Sequence, residues 1–106
     1  EHTRESELVG IVQQFLDTPV PEGWDDMSLA DRRAYYSFDE EKKGVKRTEV
    51  CVMEIWAEFL GRDPASIDRR FSVEVGAILD NMPGWERIGP RRTKLYGNQR
   101  FWRLQS

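Results

Sequence analysis

The chain has 106 residues, of which 39% are hydrophobic, 33% charged and 11% aromatic, with a formal net charge of −3. That length makes one domain with a small core, and the aromatic share is too high for a disordered chain. No apolar run approaches the roughly 20 residues that a membrane-crossing helix needs.

Residues 7–17 carry apolar side chains at positions 8, 11, 12, 15 and 16, one face of a helix. Pro19 and Pro21 end it, and a turn-rich link carrying Trp24 follows. Ser28 is a good N-cap for a short helix over 28–36, with Asp31 three positions on as an approximate capping box. Residues 37–44 read as a charged loop and 45–47 as a short strand. Thr48 is expected to cap a helix running to Leu60, with Val52, Trp56, Phe59 and Leu60 inward and Gly61 as C-cap. Asp63-Pro64 starts a single helical turn. Asp68 caps a helix over 68–82 in which Phe71, Val75, Ile78, Leu79 and Met82 fall at helical spacing. Residues 85–88 and 99–104 read as the strands of a hairpin, with turns at Gly89-Pro90 and Gly97-Asn98, and Trp85, Phe101 and Trp102 expected in the core.

Charge is distributed very unevenly. Residues 84–106 hold six Lys or Arg and one acidic residue, whereas residues 1–41 hold three basic and eleven acidic ones. The basic end is also aromatic, with Trp85, Tyr96, Phe101 and Trp102 set among Arg87, Arg91, Arg92, Lys94, Arg100 and Arg103. Arginine and aromatic rings together offer charge and stacking surface to nucleic acid. Two helices followed by a basic hairpin outline a winged helix-turn-helix. The early exposed residues of its second helix would be Arg69, Arg70, Val73, Glu74 and Ala77, of which only the arginines suit phosphate or base contact. Lys42, Lys43, Lys46 and Arg47 form a second basic cluster, and Lys46 and Arg47 would extend the same face if they lie beside the hairpin. The same pattern also describes two helices burying apolar stripes beside a solvated hairpin.

Other chemistry is thinly represented. The acidic residues 25, 26, 31 and 39–41 match no calcium loop and read as solvated surface. Glu54, Glu58 and Arg62, each one turn apart, read as helix pairing. The one cysteine, Cys51, excludes an internal disulfide and is expected buried and inert, which fits a reducing cytoplasm. One cysteine and one histidine, His2, cannot make a zinc site of the usual kind. There is no phosphate loop, nucleophile elbow or Ser/His pair, so neither catalysis nor a cofactor is expected.

Several stretches resemble the C-terminal region of the virulence-associated protein E family. They are Thr18-Pro-Val-Pro-Glu-Gly-Trp24, Asp31-Arg-Arg33, Lys46-Arg-Thr-Glu-Val-Cys-Val-Met-Glu-Ile-Trp56, Pro83-Gly-Trp85 and Tyr96-Gly-Asn-Gln-Arg-Phe-Trp102. The resemblance covers the chain from about residue 7. It implies a phage or prophage replication protein whose P-loop ATPase lies N-terminal to Glu1. It carries over no catalytic residue, because the nucleotide-binding motifs have no counterpart here. A start at Glu1 without Met, with no signal-peptide pattern, agrees with a piece of a longer protein.

The expected architecture is therefore mainly α with a small β-hairpin. Accessory helices and an acidic linker span 1–44, and a winged helix-turn-helix with a basic wing spans 45–106, the two forming one compact domain. The expected function is binding of DNA, mainly through its phosphates, by Arg91, Arg92, Lys94, Arg100, Arg69, Arg70, Lys46 and Arg47. The other expectation is an interaction module that docks on the parent ATPase or brings copies of the chain together.

Overall fold

The computed structural model describes residues 4–37 and 44–105. His2 and the charged run Asp39, Glu40, Glu41, Lys42 and Lys43 lie outside the described residues.

Helix α1 (Arg4–Asp17) turns Leu8, Val12, Phe15 and Leu16 inward. Thr18 closes it by donating its hydroxyl to Gln14 O over 2.7 Å. Val20 then forms an antiparallel bridge with Val45. That bridge brings Gly44, at φ +150°, against Val20, where an added Cβ would stand 2.2 Å from the Val20 carbonyl oxygen. A 3-10 turn, Trp24–Asp26, buries Trp24. Helix α2 (Leu29–Ser37) starts where Ser28 Oγ accepts from the Asp31 amide.

Strand β1 (Glu49–Val50) leads directly into α3, Val52–Glu54, which continues as a π-helical turn over Ile55–Phe59 and closes with Leu60 N–H donating to Ile55 O over 2.9 Å. Ile55, Trp56, Ala57 and Glu58 are all buried, because α1 and α2 pack on this turn. A 3-10 turn at Pro64–Ser66 is capped by Asp63 Oδ1, which accepts from Ala65 N–H. Helix α4 (Arg69–Asp80) is capped by Asp68 and buries Phe71, Val75, Gly76 and Leu79. Strands β2 (Trp85–Thr93) and β3 (Gly97–Leu104) complete an antiparallel sheet of order β1-β3-β2.

Among the described residues this is a small α+β domain of four helices and a three-stranded sheet. One core joins Leu8, Val12, Phe15 and Leu16 of α1 to Val50, Ile55, Trp56, Phe71, Val75, Leu79 and Trp102. Each large apolar side chain so buried is worth about 1.5–3 kcal/mol. The four from α1 therefore make this helix part of the domain rather than an appendage.

Several sequence expectations shift. The strand expected at 45–47 forms instead at Glu49–Val50, and Val45 makes only the isolated bridge. The helix expected to be capped by Thr48 starts after Cys51, because Glu49 and Val50 pair with Arg103 and Trp102 of β3. Gly89-Pro90 is not a turn; it lies within β2 beside a bulge between Arg87 and Gly89. Proline is tolerated there because β2 is an edge strand with a partner on one side only. The hairpin reverses at Lys94, Leu95 and Tyr96, where Thr93 Oγ1 accepts from Tyr96 N–H over 2.8 Å. Of the three hairpin aromatics expected in the core, only Trp102 is buried; Trp85 and Phe101 are half-buried.

Candidate nucleic-acid interface

The polar interior explains several residues first read as surface. Arg47 is 4% exposed and donates to Glu54 Oε2 over 3.0 Å and to the Tyr36 hydroxyl over 2.9 Å. Its guanidinium also lies over the Phe15 ring, 4.2 Å from the centroid. Arg47 was expected on the phosphate-contacting face; it does border the cleft beside the hairpin, but its side chain is buried there and held by Glu54, Tyr36 and the Phe15 ring. Burial opposes its charge, yet Glu54 and Tyr36 more than offset this and hold its pKa above the ordinary arginine value.

Glu54 and Glu58 are likewise buried rather than paired along a solvated helix face. Glu54 Oε1 accepts from the Cys51 amide, which anchors the start of α3. Glu58 Oε2 accepts from Arg32 and from the Tyr96 hydroxyl, each at 2.6 Å. Burial, with the Glu54 charge beside it, pushes the Glu58 carboxyl up against the opposing effects of Tyr96 and Arg32. Arg33 donates to Ala57 O and Arg62 O at the end of α3. In sequence these groups looked like exposed helix charge because their partners lie 26 and 38 residues away.

The basic hairpin is also largely committed. Arg91 and Arg103 both pair with Glu49, at 2.7 and 3.0 Å. Lys94 pairs with Asp26 at 2.5 Å, and Arg87 with Asp80 at 2.7 Å. Asp80 Oδ1 also accepts from the Trp102 indole N–H. On α4, Arg70 pairs with Glu74 one turn on. Lys46, Arg69, Arg92 and Arg100 are exposed and form no ion pair with any described residue.

These four cations fall in three places. Lys46 and Arg92 line a cleft of about 540 Å³ between the hairpin and the turn at 20–26, together with Arg91, Lys94 and Phe101. Arg100 lines a second groove, between α4 and β3, floored by Val52, Met53, Ile67 and Trp102 and flanked by Val73. Arg69 stands at the start of α4. The expected set is thus split: Arg91, Arg92, Lys94 and Lys46 share one cleft, which the buried Arg47 also borders, Arg100 faces another, and Arg69 and Arg70 sit at a helix start.

Cys51 is fully buried, and burial followed by the Glu54 charge raises its thiol pKa well above the ordinary value. Among the described residues no cluster of His, Cys, Asp and Glu could hold a metal ion, and no helix is long and apolar enough to cross a membrane. No protein-family model matches this chain, and no curated protein matches it.

Proposed function

We propose that this domain is a nucleic-acid-binding module of winged helix-turn-helix type, gripping phosphates through its basic hairpin. The order α2, β1, α3, α4, β2, β3, with β1 pairing β3, is consistent with that architecture. The observation that carries the functional reading is that Lys46, Arg92 and Arg100, on and beside the hairpin, and Arg69, at the start of α4, are exposed cations with no ion pair to a described residue. Such contacts are directed to the backbone and carry little sequence information. On the family resemblance, the module belongs to a cytoplasmic phage-type replication protein and guides its ATPase part to DNA; the domain itself is not an enzyme.

Fluorescence anisotropy with labelled duplex and single-stranded DNA at two salt concentrations tests this. Binding should weaken steeply with salt, and each lost phosphate contact should reduce the log–log slope by roughly 0.9 on duplex. Absence of binding at low salt would favour the second reading, a protein-docking module. That reading is supported by Val73, which is 63% exposed at the apolar groove beside α4.

A further inference from the structure

Three cations of the hairpin, Arg91, Arg103 and Lys94, hold carboxylates that come from two places outside it, β1 and the turn at 24–26. Glu49 of β1 reaches Arg91 with one oxygen and Arg103 with the other. Asp26 accepts from Lys94, which lies 68 residues further along, and Asp25 beside it adds its charge. The cleft that Glu49, Asp25, Asp26, Arg91 and Lys94 share also contains Arg92 and Lys46, which have no such partner among the described residues, while Arg103 lies outside it.

We infer that Glu49 and the Asp25-Asp26 turn occupy the hairpin's cationic positions as internal stand-ins for phosphate. Arg92 and Lys46 then make first contact with a nucleic-acid backbone, and Arg91, Arg103 and Lys94 join as phosphates displace the carboxylates. The inference rests on the nucleic-acid reading above. Carboxylate and phosphate oxygens accept the same charged N–H donors, so the exchange conserves hydrogen bonds. The pairs are open to water: the side chains of Lys94 and Asp26 are 72% and 76% exposed, and those of Arg91 and Arg103 are about half exposed. Pairs of that kind exchange readily and contribute little to folding. The displaced carboxylates stay beside the bound backbone and repel it. The acidic turn and Glu49 therefore lower affinity without abolishing binding, and set how strongly the hairpin competes for a polyanion.

The experiment uses the 106-residue chain and fluorescein-labelled duplex DNA at about 50 and about 200 mM salt. Glu49→Gln and the double variant Asp25→Asn/Asp26→Asn should each bind about two- to tenfold tighter at the lower salt, with a smaller gain at the higher. Glu22→Gln is the control, because Glu22 lines the same cleft and forms no ion pair with a described residue; it should bind nearly as the native chain does. Arg92→Ala/Lys46→Ala should bind more weakly. If the Gln and Asn variants bind no tighter, or Glu22→Gln gains as much as they do, the stand-in role is overturned. The loss in Arg92→Ala/Lys46→Ala would then still uphold the nucleic-acid reading. If neither the native chain nor any neutralised variant binds at the lower salt, both are overturned.

Discussion

Tyr96 donates its hydroxyl to Glu58 Oε2 across 2.6 Å, joining the tip of the hairpin to the buried π-helical turn of α3. The same oxygen takes the Arg32 guanidinium, while Glu58 Oε1 is buried without a hydrogen-bond partner among the described residues. The hairpin is thus anchored at its reversal as well as through the strand pairing of β3.

Tyr96→Phe keeps the ring and removes that donor. Leaving a buried carboxylate short of a partner should cost about 1–3 kcal/mol, measured by urea unfolding. Amides at Lys94–Tyr96, in the turn, should exchange faster while those of α4 keep their protection. Unchanged stability would mean that the bond does not form in solution.

Arg47 and Arg92 should behave as opposites, although both were read as phosphate contacts. Arg47→Ala strands the buried Glu54 carboxylate and should destabilise the fold by about 3–5 kcal/mol. Arg92→Ala alters an exposed side chain and should change stability by no more than about 0.5 kcal/mol, yet weaken DNA binding. Equilibrium unfolding together with anisotropy on both variants checks the contrast.

The Glu58 carboxyl is held above its ordinary value of 4.5, chiefly by burial. A raised carboxyl makes the folded state bind more protons than the unfolded chain, so this group's contribution to stability falls as pH rises. The fall begins near 4.5 and is complete above the raised folded value. In Glu58→Gln that contribution is absent. The stability of the variant relative to the native chain should therefore rise with pH across that window, whatever the constant offset from losing the charge beside Arg32. Urea titrations on both proteins at acidic and neutral pH test the sign.

Cys51 is fully buried with its thiol pKa raised, so little reactive thiolate is present. Alkylation by iodoacetamide at neutral pH should be slow in the native state and become fast in denaturant. Rapid labelling of the folded chain would show that the start of α3 opens readily.

Local chemistry made much of the fold readable. Ser28, Asp63 and Asp68 accept the amide hydrogen bonds expected of caps. The apolar spacings at 8–16 and 71–79 place their side chains in the core. The start of α3 was misread because Thr48 is a plausible cap by itself, whereas β3 pairs with Glu49 and Val50, just after it. The proposed site was less legible. Composition marks the hairpin as basic, but not that Glu49 and Asp26 already hold three of its cations.

Trp24, Arg32-Arg33 and the run from Arg47 to Glu54 are separate stretches of the sequence. In the folded chain they build an interior network in which Trp24 O accepts two bonds from Arg32, and Arg47 joins Glu54 to Tyr36. The sequence by itself determined the order of helices and strands, the caps at Ser28, Asp63 and Asp68, and the uneven charge, because these depend on neighbours within a few residues. Which charges are buried, which are neutralised and which stay free for a ligand was decided only by the tertiary structure. An ion pair's worth depends on the water around it and on partners brought close by folding, and neither is encoded in spacing along the chain.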